Sequence, residues 1–112
     1  MTDCLFCKII AGDIPSDKVY EDDLLYAFKD ISPKASVHLL VIPKVHIESL
    51  DSLNAEHQQL IGYMMLKLPE LAKSQGLDDG FRTIINTGPG GGQEVGHLHS
   101  HILGGKNMPG FN

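Results

Sequence analysis

Three of the six histidines of this chain stand at alternate positions within residues 97–101, His-Leu-His-Ser-His. Successive side chains of a β-strand point to opposite faces, so an extended segment places all three imidazoles on one side. Leu98 and Ile102 then lie on the other side, which favours a strand packed on a core over an incidental exposed cluster. The motif predicts a strand over residues 97–103 with one apolar face and one row of imidazoles.

Strand geometry limits what the three imidazoles can do together. Adjacent rings of the row lie about 6.6 Å apart and the outer two about 13 Å apart, from the rise of a strand. Zinc–nitrogen bonds measure about 2.0–2.1 Å, so one ion cannot easily bind all three rings, although one His-x-His pair could chelate zinc. The row also suits a reaction in which one imidazole attacks a substrate while its neighbour hydrogen-bonds the charged oxygens.

The remaining elements are predicted from apolar spacing and turn residues. They are a short helix over residues 5–11 closed by Gly12, strands over residues 19–21, 24–29 and 38–42, a helix that Asn54 caps and Gly76 closes, and a strand over residues 81–86. Pro69 lies inside the longer helix. The order of these elements indicates an α+β domain with a five-stranded, mostly antiparallel sheet, one long helix and one short helix.

Length and charge limit the organisation of the chain and its partners. The 112 residues are enough for a single domain, residues 1–112. The formal net charge of −5 makes the chain a poor candidate for binding nucleic acid, which requires clustered Lys and Arg. The sequence shows neither the apolar run of a membrane span nor the basic start of a signal peptide, so we expect a cytoplasmic protein that binds no membrane.

A glycine-rich segment precedes the histidines, with the sequence Asn-Thr-Gly-Pro-Gly-Gly-Gly-Gln-Glu at residues 86–94. Glycines let backbone N–H groups approach a ligand closely and form an anion-binding concavity. The spacing matches neither a Walker loop nor a dinucleotide-binding fingerprint. On its own such a segment is more often a plain flexible connection, but beside three histidines it indicates a phosphate site.

Cys4 and Cys7 have Cys-x-x-Cys spacing, which suits a single tetrahedral metal ion with two further ligands. In a reducing compartment a close cysteine pair is more often a metal clip or a redox pair than a structural disulfide. No thioredoxin-like strand precedes the motif, which disfavours the redox pair. A metal clip and a pair of small buried cysteines both remain compatible with the sequence.

The segment Gly-Gly-Gln-Glu-Val-Gly-His-Leu-His-Ser-His-Ile-Leu-Gly-Gly at residues 91–105 resembles the histidine triad (HIT) family, whose signature is His-φ-His-φ-His-φ-φ with φ hydrophobic. Ser100 departs from that signature. Further segments are similar to the nucleoside phosphoramidase (HINT) branch of the family, so that the resemblance covers nearly the whole chain. These segments are residues 4–10, 14–15, 20–23, 28–33 and 41–47.

The resemblance implies a role for each matching residue. The implied catalytic residues are His97, His99 and His101; His99 is the nucleophile that forms a nucleotidyl-histidine intermediate, and His101 contacts the α-phosphate. For the attacking nitrogen to be free, the other nitrogen of its ring must keep its proton on an acceptor, which we expect to be a backbone carbonyl. The other implied substrate-binding residues are Asn86, Gly92, Gln93, Glu94 and Val95 for the phosphate, Asp30 for the ribose hydroxyls, and Phe28 and Ile31 for the base.

The resemblance also implies a zinc ion and a second subunit. Some bacterial members bind zinc through residues that correspond to Cys4, Cys7, His46 and His97. A zinc ion with four protein ligands is structural, so the chemical step would need no cofactor. The family further implies a homodimer in which the sheet continues across the interface.

The resulting hypothesis is a hydrolase that acts on the α-phosphate of purine nucleoside phosphoramidates or aminoacyl adenylates and releases AMP or GMP. One alternative is hydrolysis of dinucleoside polyphosphates, as in a sister branch of the family. Another is a nucleotide-binding adaptor with incidental turnover. A metal-dependent hydrolase that uses one His-x-His pair is the fourth possibility.

Overall fold

The computed structural model describes residues 3–110, and within them a single sheet carries one helix on each face. The elements are α1 (Leu5–Ala11), β1 (Lys18–Glu21), β2 (Leu25–Lys29), β3 (Val37–Pro43), α2 (Gln58–Ser74), β4 (Arg82–Ile84) and β5 (Ser100–Gly104). The five strands are arranged in the order β1-β2-β3-β5-β4, and each neighbouring pair is antiparallel. The predicted α+β class, five-stranded sheet, long helix and short helix are confirmed.

The two faces of the sheet carry different helices because side chains alternate along β2 and β3. One alternate set packs with Met64 and Leu68 of α2 and with Ile102 of β5. Its members are Leu25, Ala27, Leu39 and Val41. The other set packs with Phe6 and Ile9 of α1. Its members are Tyr26, Phe28, Leu40 and Ile42. Both faces of the central strands are therefore buried, which explains the apolar run of β3.

The helices begin and end at residues that satisfy their free backbone groups. At the start of α1 the Cys4 sulfur accepts the Cys7 N–H at 3.3 Å, and Gly12 ends it with a φ of 84°. Asn54 caps a 3₁₀ turn, Ala55–His57, and α2 itself begins only at Gln58. Between residues 3 and 110, neither α-helix has both the length and the apolar character needed to cross a bilayer.

The strand of the histidine motif is shorter than the sequence predicted. It begins at Ser100, because the backbone N–H groups before it bond to loops: His97 N donates to Val95 O at 2.8 Å and Leu98 N to Ile47 O at 2.7 Å. The predicted strand over residues 81–86 is likewise reduced to Arg82–Ile84.

Ser100 lies on the apolar face of β5, where the family signature has a hydrophobic residue, and it is fully buried. Its hydroxyl lies 2.9 Å from the Thr83 hydroxyl on β4, which in turn donates to His101 O at 2.8 Å. Because that second bond uses the only hydroxyl proton of Thr83, Ser100 is the donor of the first. The departure from the signature is thus compensated within the sheet.

The turn between β1 and β2 is tied to α2 through one carboxylate. Asp22 accepts the backbone N–H groups of Leu24 and Leu25, each at 2.8 Å, and the hydroxyls of Tyr20 and of Tyr63 on α2. Burial alone would raise the pKa of this carboxyl, but the four hydrogen bonds favour its charged form and hold the pKa well below its usual range.

We expect Asp22→Asn to lower the free energy of unfolding by about 1–3 kcal/mol at pH 7, because an amide cannot accept from all four donors. A carboxyl whose pKa is lower in the folded state stabilises the fold above its unfolded pKa of about 3.9 and loses that contribution at lower pH. The difference between variant and wild type should therefore shrink below about pH 4. Urea unfolding at several pH values measures this difference in the free energy of unfolding. Asp23→Asn is the control, because Asp23 is an exposed neighbour outside the network. Equal losses in both variants would contradict the role of the network.

Candidate active site

A cavity of about 520 Å³ opens on the α1 face of the sheet, between α1, the β2–β3 loop, the glycine-rich segment and β5. Cavities of this size accommodate small organic ligands. Nine of the residues predicted to act in catalysis or substrate binding line it, namely Phe28, Asp30, Ile31, Asn86, Gly92, Glu94, Val95, His99 and His101. Gln93 and His97 do not.

His99 is held in one tautomer by the backbone. Its Nδ1 lies 2.7 Å from the carbonyl oxygen of His97, and since a carbonyl only accepts, Nδ1 carries the proton. The carbonyl acceptor expected from the sequence is therefore present. In the neutral ring Nε2 then has a free lone pair, and within residues 3–110 it has no hydrogen-bond partner. A largely buried imidazole on the cavity wall with an unprotonated nitrogen can act as a nucleophile.

His101 is oriented by a histidine that the sequence analysis did not assign to the site. Lys34 N donates to His38 Nδ1 at 3.1 Å, so the remaining proton of a neutral His38 is on Nε2. That Nε2 lies 2.9 Å from His101 Nδ1 and donates to it. His101 therefore carries its own proton on Nε2, the nitrogen left free to donate to a ligand. Side chains alternate along the predicted strand over residues 38–42, so His38 lies on the same face as Leu40. This alternation was the sequence signal that could have placed His38 in the site.

Both members of this pair are neutral at neutral pH. Burial lowers the pKa of His101 to about 4, and the neighbouring His99 and His38 rings oppose a positive charge there as well. Burial also lowers the pKa of His38. A neutral imidazole has one donor and one acceptor nitrogen, as the chain of hydrogen bonds from Lys34 N to His101 requires.

The glycine-rich segment is folded on itself by two amide side chains. Asn86 Nδ2 donates to Gly91 O at 2.8 Å, and Gln93 Oε1 accepts Gly88 N–H at 2.8 Å. The Gln93 amide also donates to Glu48 O and Val95 O. Gln93 thus stabilises the loop and does not line the cavity. Gly92 does line the cavity, and its φ of 78° is a conformation that favours glycine.

An apolar wall formed by α1 was not anticipated from the sequence. Leu5, Phe6 and Ile9 line the cavity. The Phe6 ring meets the His99 ring edge-on, with centroids 5.1 Å apart, and the Phe28 ring at 5.5 Å. The apolar spacing within α1 was the available signal, but it did not reveal which part of the protein the helix covers.

The four predicted metal ligands converge at the N-terminal end of α1. Cys4 Sγ lies 3.3 Å and Cys7 Sγ 3.6 Å from His97 Nδ1, and Cys7 Sγ lies 3.4 Å from His46 Nδ1. The four donor atoms lie within 4.8 Å of one another. Sulfur and nitrogen ligands of a tetrahedral zinc ion lie roughly 3.5 Å apart, so the donor set fits that ion.

The orientation of His97 supports the same assignment. This ring is fully buried, and its Nε2 lies 2.8 Å from the carbonyl of Pro43, to which it donates. Nδ1 is then unprotonated and faces the thiols, as a ligand nitrogen must. Because both nitrogens are occupied, His97 acts on the neighbouring His99 through its carbonyl.

A second group of possible ligands, Asp30, His38 and His101, is better described as hydrogen-bonded than as a metal centre. Their donor atoms also lie within 4.8 Å of one another, with Asp30 Oδ2 3.5 Å from His38 Nε2. However, the bond from Lys34 N to His38 Nδ1 places the proton of His38 on Nε2, and a protonated nitrogen cannot bind a metal.

Comparisons with known proteins assign the chain to one family. Residues 3–112 match the family model described as "Scavenger mRNA decapping enzyme C-term binding". Protein HitA of Neisseria gonorrhoeae is 62% identical over 93% of this chain and 97% of its own. The purine nucleoside phosphoramidase of Escherichia coli is 48% identical over 93% and 88%, and a 14 kDa zinc-binding protein of Zea mays is 45% identical over 93% and 83%.

Solved structures confirm the fold expected from the resemblance. A histidine triad protein from Clostridium difficile superposes with a TM-score of 0.94, with 47% identity over 100% of this chain and 98% of its own. A HIT family hydrolase from Legionella pneumophila superposes with a TM-score of 0.92, with 44% identity over 96% of each chain.

We expect Cys7→Ser to abolish stoichiometric zinc binding, because a hydroxyl replaces one of the two soft thiolate ligands. Native mass spectrometry and elemental analysis of the purified protein measure the zinc content. His57→Ala is the matched control, since His57 lies in the 3₁₀ turn before α2, away from the four donor atoms. Loss of zinc from the control, or full retention by Cys7→Ser, would contradict the assignment.

Proposed function

The chain belongs to the histidine triad family and is a hydrolase of that family, and from this premise we propose that it cleaves purine nucleoside phosphoramidates or aminoacyl adenylates at the α-phosphate. The product would be a nucleoside monophosphate, formed through a covalent nucleotidyl-histidine intermediate. The name of the Escherichia coli relative supports this choice of substrate class. The cavity, with one apolar wall and a cluster of polar groups, has the size and the two kinds of lining that a nucleotide needs.

The observation that carries this proposal is the tautomer of His99. His99 Nδ1 donates to the carbonyl oxygen of His97 at 2.7 Å, so in the neutral ring Nε2 keeps a free electron pair with which to attack. In the first step Nε2 bonds to the α-phosphorus while the bond to the leaving group breaks. For a phosphoramidate, the amine departs with the electron pair of the P–N bond and takes one proton from solvent. In the second step water attacks the phosphorus, His99 leaves as the neutral imidazole, and one proton returns to solvent.

We propose that two groups stabilise the charge that develops on the phosphoryl oxygens. His101 presents its Nε2–H, because His38 occupies its Nδ1 at 2.9 Å. The backbone around Gly92 and Val95 lines the same cavity. Donors fixed before the reaction stabilise a transition state without the cost of reorganisation. His38 is accordingly a positioning residue for His101.

The nucleoside would occupy the remaining cavity wall. The Asp30 carboxylate suits the ribose hydroxyls, since Oδ1 already accepts Ser32 N–H at 2.7 Å and is thereby fixed. Phe28 and Ile31, which line the cavity, would contact the base, and Ile31 is exposed at the rim. Cys4, Cys7, His46 and His97 would hold a zinc ion, which with four protein ligands has no open position for substrate and serves the structure.

We also propose that two copies of the chain pair through β4. This strand lies at the edge of the sheet, and an edge strand offers unpaired backbone groups to another strand. Phe81 and Ile84, at this edge, and Leu66 on α2 are among the exposed large hydrophobic residues of the described chain. A dimer with a continuous sheet would cover the edge.

We expect wild type to hydrolyse an adenosine phosphoramidate and His99→Ala to lose at least about 10⁴-fold in kcat, because the covalent route disappears. Mass spectrometry of acid-quenched protein should show a nucleotidyl adduct in wild type and none in the variant. His57→Ala, remote from the cavity, is the control for the general effect of removing a histidine.

The alternatives give different results in the same experiment. Tight AMP binding without turnover would favour a nucleotide-binding adaptor. Faster turnover of a dinucleoside polyphosphate than of the phosphoramidate would favour that substrate class. Loss of turnover on metal removal, with the fold retained and no adduct in the loaded protein, would favour a metal-dependent hydrolase.

The role of His38 is tested by a double-mutant cycle. We expect His101→Ala to lower kcat about 100-fold and His38→Gln about 10-fold, because one donor is removed in the first variant and only misoriented in the second. His38→Gln should have little further effect in the His101→Ala background, since it acts through His101. Additive losses in the double variant would show that His38 acts independently.

A further inference from the structure

Helix α1 contributes to two sites at once. Its N-terminal end carries Cys4 and Cys7, two of the four residues of the metal cluster. Its buried face carries Phe6 and Ile9, which with Leu5 line the cavity. The same seven-residue element therefore connects the metal cluster to the apolar wall of the substrate site.

The polar attachment of α1 to the rest of the protein depends on its two thiols. Within residues 3–110, every side-chain hydrogen bond between the segment 4–11 and a distant part of the chain joins Cys4 or Cys7 to His46 or His97. The backbone bonds of α1 are local, from Cys4 O to Ile14 N. A helix this short is not stable on its own in water, so its position depends on the thiol cluster and on apolar packing.

The nucleophile, in contrast, has attachments that do not involve the thiols. His97, whose carbonyl orients His99, is held by the Pro43 carbonyl at 2.8 Å and by its own N–H to Val95 O at 2.8 Å. Leu98 N donates to Ile47 O at 2.7 Å, directly beside it. Without a metal, His97 keeps these bonds, whereas α1 keeps only its apolar packing and the long thiol–imidazole contacts of 3.3–3.6 Å.

We propose that Cys4 and Cys7, by binding the metal, clamp α1 against the cavity and thereby determine how tightly the protein binds the nucleobase. The metal centre would then control substrate affinity through Phe6 and its neighbours, with little effect on the chemical step at His99. This inference rests on the proposed function in one respect, namely that the cavity binds a nucleotide. The metal site would then affect substrate binding as well as the stability of the protein.

The test compares two probes on zinc-loaded and chelator-depleted protein. AMP contains a base, and ribose 5-phosphate does not. We expect zinc depletion to weaken AMP binding, measured by titration calorimetry, at least about 10-fold, which corresponds to about 1.4 kcal/mol. Binding of ribose 5-phosphate, measured by phosphorus NMR, should weaken less than about 3-fold. Hydrogen exchange should become faster in residues 5–11 and stay unchanged in β5. Zinc should restore both properties.

Two variants distinguish an effect of the α1 clamp on AMP binding from a general loss of protein stability. Phe6→Ala should weaken AMP binding while retaining zinc, since it removes part of the wall and none of the ligands. Lys8→Ala, on α1 but outside both the cavity lining and the metal cluster, should change neither property. In kinetic assays zinc depletion should raise KM at least about 10-fold and change kcat less than about 3-fold.

Each other outcome overturns the proposal in a distinguishable way. Equal weakening of AMP and ribose 5-phosphate would show that metal loss disturbs the whole site. Unchanged AMP affinity with faster exchange in α1 would show that the wall contributes nothing to base binding. Failure of the zinc-loaded protein to bind AMP at all would overturn the proposed function together with the clamp.

Discussion

The ring of His97 has no exposed surface, and each of its polar groups has a partner. Nδ1 faces the two thiols, Nε2 donates to the Pro43 carbonyl, and the backbone carbonyl of the same residue accepts the Nδ1 proton of His99. A buried imidazole without partners would be strongly destabilising, so each of these contacts contributes to holding the ring in place. A rotation of this one ring would disturb the group of thiols and imidazoles, the end of β3 and the orientation of His99 together.

The pairing of β3 with β5 extends this arrangement across the sheet. Antiparallel register brings Leu40 opposite His101, and alternation places His38 on the same face as both. Among the buried strand residues of the described chain, Ser100 is the polar one on the face toward α2, and its hydroxyl bonds to that of Thr83. Polar residues can therefore gather on the α1 face while the larger of the two buried apolar clusters forms on the α2 face. Every buried polar side-chain atom of the described chain has a hydrogen-bond partner.

Most residues of the cavity were predicted from the resemblance to the histidine triad family, whereas alternation and spacing predicted the element order and the mostly antiparallel sheet. They failed where the backbone leaves regular structure. His97 precedes β5 because its N–H bonds to Val95, a local turn that the periodicity of residues 97–103 does not encode. Gln93 could be assigned to the glycine-rich segment, but the partners of its amide, Glu48 and Val95, come from tertiary structure. The position of His38 was predictable, whereas its partner depends on the register between β3 and β5.

The cavity itself explains why a short helix needs the group of thiols and imidazoles at its N-terminal end. A cavity of about 520 Å³ on one face of a small sheet removes apolar contacts that would otherwise hold the element covering it. Helix α1 buries only Phe6 and Ile9, too few to fix seven residues against the loss of conformational entropy. The two thiols at the start of the helix contact His46, after β3, and His97, before β5, and none of these four residues lines the cavity. The substrate site can therefore remain open and apolar while its wall stays ordered.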